Sequence, residues 1–247
     1  MVAMSVLLAA ACVASWTGCP EKCCISSKAN RPRARQRQGN YAKLTHMDDI
    51  VKKAMVKWPD VPHCYGWLAP DARGAWRMRD ERAQHLGLPG DKVIQVALLG
   101  FINRNYAVDE RGCWYFQNGP QRVYLNLEAT PFIARTDPEH GLMLHTGEAV
   151  DAIARAYMTE TGEVILDCGG KVAQVDDRDV AQLMAAMEIG SAAASDEALM
   201  AWLETGESEL VLRYKAQPVP VERVRRDAVP EHFGFTRLPA PESTAAR

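Results

Sequence analysis

No stretch of this 247-residue chain stays apolar for the roughly 18–20 residues a membrane-spanning helix needs. That argues against membrane insertion through helices. The sequence also lacks a phosphate-cradling glycine loop, a dinucleotide glycine fingerprint and a nucleophile elbow, and with them the commonest readable routes to nucleotide-dependent or hydrolytic chemistry. Acidic residues are nearly missing from the first 46 positions, where Glu21 stands alone against seven Lys and Arg, a net charge of +6. The remaining 201 residues carry 22 basic and 30 acidic side chains, a net charge of −8. An acidic body argues against nucleic acid as a partner.

Two chemically different pieces are therefore joined. The first holds four of the seven cysteines: Cys12, Cys19, Cys23 and Cys24. Its apolar stretch Val6–Ala14 has no Lys or Arg before it, which a secretory signal normally has. Cys12 follows a weak lipidation context. Cys19, Cys23 and Cys24 do not form the two well-separated pairs of a zinc site. Arg31, Arg33, Arg35 and Arg37 read as a solvated charge run. We expect residues 1–46 to be a non-domain leader, disordered or upstream of the true start at Met47. The three later cysteines, Cys64, Cys113 and Cys168, need no disulfide and suit a reducing, cytoplasmic setting.

What is present is a turn repeated in one format. Asp71-Ala72-Arg73-Gly74-Ala75-Trp76 and Asp109-Glu110-Arg111-Gly112-Cys113-Trp114 both read Asp-x-x-Gly-x-Trp, and Thr159-Glu160-Thr161-Gly162-Glu163-Val164 is a weaker copy. Asp first and Gly fourth suit a type I turn closed by a left-handed residue. The copies start 38 and then 50 positions apart (71, 109, 159), so no solenoid or propeller period exists.

Between the turns, Ile50, Val51, Ala54, Met55 and Trp58 recur at helical spacing until Pro59 stops them. A second helix is expected over Lys92–Asn105, with a loop over 79–91 that has room for one helical turn. Cys113–Gln117 and Arg122–Glu128 form the clearest hairpin around Asn118-Gly119. Pro131–Arg135 and Leu142–His145 read as strands. Residues 148–158 fit helix or strand; a strand from Ala152 would complete a meander with Glu163–Asp167 and Lys171–Val175. Asp177 is expected to cap a helix. A small-residue linker, a helix over Asp196–Glu204 stopped by Gly206 and a strand over Glu209–Ala216 follow. The Pro-rich end allows short edge segments at most. The fold class is α+β: a twisted, mostly antiparallel sheet of β-hairpins with several short helices. The expected organisation is a hairpin domain over 47–190, a helix-strand extension over 191–240 packed on it, and a disordered tail over 241–247.

Chemistry is sparse. Asp176, Asp177 and Asp179 offer three carboxylates for a hard cation, but acids at a helix start are expected as caps. His140 and His145 fall on opposite faces of a strand. Cys113 or Cys168 with His145 would need a placement that sequence cannot supply. The best polar cluster is Arg104, Asn105, Tyr106, Gln117, Asn118, Gln121 and Arg122, at the second helix end and central hairpin. Arg104 and Arg122 on one side would hold an anion or a partner's carboxylate, with His145 near the cleft. Trp67, Trp76 and Trp114 read as core or as groove lining.

The segments Lys57-Trp58-Pro59-Asp60-Val61-Pro62, Tyr65-Gly66-Trp67-Leu68, Phe101-Ile102-x-Arg104-Asn105-Tyr106 and Asp109-Glu110-Arg111-Gly112-x-Trp114-x-Phe116-Gln117-Asn118-Gly119-Pro120-Gln121-Arg122-Val123-Tyr124 carry a resemblance. The chain resembles an uncharacterised family of beta-proteobacterial proteins, a domain of unknown function. The similarity runs from Met47 to about Pro239, through Leu144-His145-Thr146-Gly147 and Phe233-Gly234-Phe235. It implies a start near Met47 and brings no known activity, cofactor or partner, so it carries over no functional residue. The reading is a non-catalytic cytosolic binding or interaction module, with no cofactor, catalytic residue or metal ligand assigned. Its partner is a protein or a small anionic ligand. The alternatives are an enzyme acting on such a ligand and a divalent-metal protein.

Overall fold

The computed structural model describes residues 47–190 and 192–241. The expectations for the leader and for residues 242–247 lie outside them. The described residues form two mixed sheets and six short helices, an α+β fold.

The first sheet is built around the N-terminal hairpins. Helix α1 (Asp49–Lys57) buries Val51 and ends at Trp58, ahead of Pro59. Strand β1 (Cys64–Pro70) pairs antiparallel with β2 (Trp76–Met78), which pairs with β3 (Asp91–Lys92). Helix α2 (Glu81–His85) lies between β2 and β3; Asp80 caps it by accepting from the Ala83 N–H at 2.7 Å. Helix α3 (Val96–Arg104) buries Leu98 and Ile102 and leads into β4 (Tyr106–Val108). Strands β5 (Trp114–Asn118) and β6 (Gln121–Leu125) complete the order β3-β2-β1-β6-β5-β4, with β1 and β6 parallel. The two-residue loop is Gly119-Pro120 and Asn118 is still in the ladder, opposite Gln121. Pro120 has no N–H to contribute, so it belongs in the loop.

The second sheet collects β7 (Phe132–Asp137), β8 (Gly141–Leu144), β9 (Arg155–Met158), β10 (Val164–Asp167), β11 (Val172–Val175), β12 (Met187–Ile189), β13 (Ala192–Ala193), β14 (Leu210–Tyr214) and β15 (Gln217–Arg223). Their order is β13-β12-β14-β15-β9-β10-β11-β7-β8, with β15–β9 and β11–β7 parallel. Residues 155–158 are strand, and the β9-β10-β11 meander forms. Helix α4 (Val180–Met184) follows β11. Helix α5 (Asp196–Thr205) starts at Ser195, whose hydroxyl accepts from the Ala198 N–H, and stops at left-handed Gly206. Helix α6 (Val229–Phe233) closes the fold at Gly234.

Several expectations need correction. The second helix starts at Val96, because Asp91 and Lys92 pair with β2 instead, and the segment expected as a loop carries α2. The Pro-rich end forms the seven-residue strand β15, paired on both sides. Strand β9 engages only Val221–Arg223, so Pro218 and Pro220 lie in the half of β15 that has one neighbour and lose no ladder bond there. Asp177 is not a cap: the residue before α4 is Asp179, which makes no side-chain cap bond.

All three repeated turns form with the same bonds. Gly74, Gly112 and Gly162 donate their N–H to the carbonyls of Asp71, Asp109 and Thr159 at 2.9, 3.1 and 3.0 Å. The side chain of each first residue accepts the N–H four positions on: Asp71 from Ala75, Asp109 from Cys113, Thr159 from Glu163. The glycines take positive φ of 72°, 73° and 86°. One core runs through both sheets. Tyr106 contacts Trp114 and Phe132, with ring centroids 4.7 and 5.5 Å away, and joins β4 and β5 to β7.

Candidate functional site

The inner face of the first sheet is spoken for. Trp114, Phe116, Val123 and Leu125 belong to the shared core, and Phe101 of α3 packs edge-on against Phe116 at 5.4 Å. The alternating residues point the other way. Tyr65, Tyr124 and Tyr115 lie in register across β1, β6 and β5. With Cys113 they make a second cluster, separate from the core. Tyr65 stacks on Tyr124 at 4.8 Å and 9°, and Tyr115 meets Tyr124 edge-on at 5.6 Å.

Two arginines lie over this row. Arg122 stands 4.6 Å above the Tyr115 ring and Arg111 5.5 Å above Tyr124. Arg111 is held by Asp109 at 3.0 Å, and the Tyr124 hydroxyl donates to the same carboxylate at 3.1 Å. Burial works against the Asp109 carboxylate, yet the Cys113 N–H and Arg111 outweigh it and hold its pKa below the usual range. Arg122 differs: its nearest polar contact is the Tyr124 hydroxyl at 3.5 Å, and it forms no ion pair among the described residues. His63 sits beside it, edge-on to Tyr124 at 5.7 Å. Burial, then Arg122 and Arg111, push the His63 pKa down, so the imidazole is neutral at pH 7. These side chains line an open cleft of about 660 Å³, with Asp109 and Glu110 at its acidic side.

Of the sequence-derived candidates, only Arg122 lies in this cleft. Arg104 belongs to α3, on the core side of the sheet, and pairs with Asp48 at 3.2 Å. Arg104 and Arg122 therefore do not share a site, because one leaves a helix that covers the inner face and the other leaves the outer face. Asn105 is buried, accepts from the Asp48 N–H at 3.0 Å and donates to the Phe101 carbonyl at 2.9 Å. The Tyr106 hydroxyl donates to the Pro131 carbonyl at 2.8 Å. Gln117 and Gln121 donate to the carbonyls of Gly119 and Pro62, both at 2.9 Å, and Asn118 is buried at the end of β5. These amides hold the chain together locally.

His145 is wedged where the sheets meet, 5.3 Å from Trp76 and 6.0 Å from Phe132. Its Nδ1 accepts from the Ile133 N–H at 3.1 Å. Burial, with Arg135 adding to it, lowers its pKa to about 3, so it is neutral and far from the cleft chemistry. Trp76 and Trp114 are core, and Trp67 packs against it.

The three aspartates are taken up by different partners. Asp176, fully buried, pairs with Arg178 and Arg135; Asp177 makes a two-point pair with Arg73 at 2.8 Å; Asp179 accepts from the Thr136 N–H at 2.8 Å. Hydrogen bonding from Arg178 holds the Asp176 pKa well below the carboxylate range. Among the described residues no three His, Cys, Asp or Glu side chains converge as a metal site would require. Sequence reasoning missed His63, Tyr65, Arg111, Tyr115 and Tyr124. The available signal was phase: the tyrosines alternate against Cys64, Trp114, Phe116, Val123 and Leu125.

The molecule is thus an α+β protein with an aromatic, arginine-bearing cleft on the outer face of one sheet. It belongs to the family described as "Protein of unknown function (DUF2946)", which matches residues 47–240. A crystal structure of a DUF1285 family protein from Silicibacter pomeroyi is 13% identical, with a TM-score of 0.42 over 65% of this chain and 82% of that one. No curated protein matches.

Proposed function

We propose that this chain is a non-catalytic binding module of the cytosol whose cleft captures an anionic group of a small ligand or a partner protein. The observation that carries the reading is Arg122. A guanidinium held over an aromatic ring is pre-organised for planar recognition of a carboxylate or phosphate. Its lack of an ion pair among the described residues leaves that capacity available. Arg111, Tyr65 and Tyr124 brace the same face. The cytosolic setting rests on the sequence, in which Cys64, Cys113 and Cys168 need no disulfide.

The test is isothermal titration of the protein with ribose 5-phosphate. Arg122→Gln should weaken binding at least about tenfold, the loss of one charge-assisted contact. Arg104→Gln, on the opposite face, should leave it unchanged. Equal affinities for the Arg122→Gln variant and the wild type would reject the reading. One observation favours a second reading, an enzyme acting on a small anion: neutral His63 stands beside Arg122, where a general base could act. A ligand recovered chemically altered, with His63→Gln stopping the change, would favour it over simple binding.

A further inference from the structure

We propose that the cleft takes a planar aromatic ring bearing one anionic group, the chemistry of a nucleoside monophosphate; this rests on the anion-binding reading above. Three observations support it. The tyrosines form a continuous row over three adjacent strands, and the row sits on a sheet face outside the core. Tyr115 and Tyr124 are nearly enclosed, whereas Tyr65 is half-buried and His63 beside it is exposed. An incoming ring therefore meets Tyr65 and His63, extending the stack that Tyr65 and Tyr124 begin. The volume is the second point. About 660 Å³ lies in the range of small-molecule sites, and a lone phosphate would leave most of it to water.

Charge is the third. Arg111 is paired with Asp109, so of the two cleft arginines Arg122 is the one with no carboxylate partner among the described residues. Glu110 lines the same cleft, and its charge opposes a second anionic group. That pattern fits a single phosphate or carboxylate and opposes an extended phosphodiester strand, whose affinity depends on several cations.

The test titrates the full chain with adenosine monophosphate, ribose 5-phosphate, inorganic phosphate and a thymidine hexamer. Adenosine monophosphate should bind about tenfold or more tightly than ribose 5-phosphate. Tyr65→Leu should reduce that ratio to below about threefold, and Tyr65→Phe should restore it. Arg122→Gln should weaken both monophosphates. Equal binding of the two monophosphates by the wild-type protein overturns the ring requirement and leaves the anion reading standing. Tighter binding of the hexamer than of adenosine monophosphate overturns the single-anion claim. No binding of either monophosphate at millimolar concentration overturns both readings.

Discussion

At the scale of single residues, the repeated turn makes the sharpest demands. Gly112 combines φ +73° with a close approach: a Cβ there would lie 2.1 Å from the Gly234 carbonyl oxygen. Gly162 has φ +86° and open space around it. We therefore expect Gly112→Val to cost about 2–5 kcal/mol, backbone strain plus overpacking, and Gly162→Val about 1–2 kcal/mol, strain alone. Urea denaturation of both variants checks this; equal losses would mean that the Gly234 contact does not matter. The turn format was legible because Asp and Gly carry local geometry. The role of Gly234 was not, since it comes from 122 positions away. His145 gives a pH prediction. The folded protein keeps it neutral down to about 3, while the unfolded chain protonates near 6.5. Unfolding takes up a proton below pH 6.5, so its contribution to stability is intact above that pH and falls by about 1.4 kcal/mol per unit toward pH 3. Between pH 7.5 and 5.5, wild type should lose about 1.4 kcal/mol more than His145→Gln. Parallel pH profiles for the two proteins would contradict it. In the sequence, His145 looked like a ligand-site residue, because its aromatic cage comes from Trp76, Tyr106 and Phe132 on separate strands.

At the scale of elements, hydrophobic period gave α1, the β5–β6 hairpin and the β9-β10-β11 meander. It failed where pairing is remote. Strand β15 forms despite two prolines because β14 supplies a full antiparallel ladder on one side. The segment 176–179 looked like a helix cap or a cation site. It is a connector, tied by Asp177 to Arg73 in the first turn and by Asp176 to Arg135 in β7. The Asp176 side chain is 1% exposed, while that of Arg178 is 59% exposed. Asp176→Ala should cost about 2–3 kcal/mol, less than the roughly 3–5 kcal/mol of a fully enclosed pair because Arg178 stays largely hydrated. Asp177→Ala, an exposed pair, should cost at most about 1 kcal/mol. Thermal melts of the two variants separate these outcomes, and equal shifts would count against the connector argument.

At the scale of the whole molecule, the two sheets share one core, to which Trp76, Trp114 and Phe116 of one and Phe132, Leu166 and Leu210 of the other all belong. Leu166→Ala should cost about 2–5 kcal/mol, and tryptophan fluorescence and far-UV circular dichroism should report one coincident transition. Two separated transitions would mean that the sheets unfold independently. The α+β class was legible from period and turns. The division into two sheets was not, because three of the ladders are parallel and join distant segments. The site was only partly legible for the same reason: Arg122 was visible as a candidate, but its partners His63 and Tyr65 arrive through the parallel pairing of β1 with β6. The central claim is that the outer face of the first sheet captures an anion. The most direct test is an amide NMR titration of the protein with ribose 5-phosphate. Saturating shift changes confined to residues 63–65, 108–111, 115 and 122–124 are the result we predict. No saturating change there, or changes centred on Asp48 and Arg104 or on the 71–74 and 176–178 segments, would contradict it.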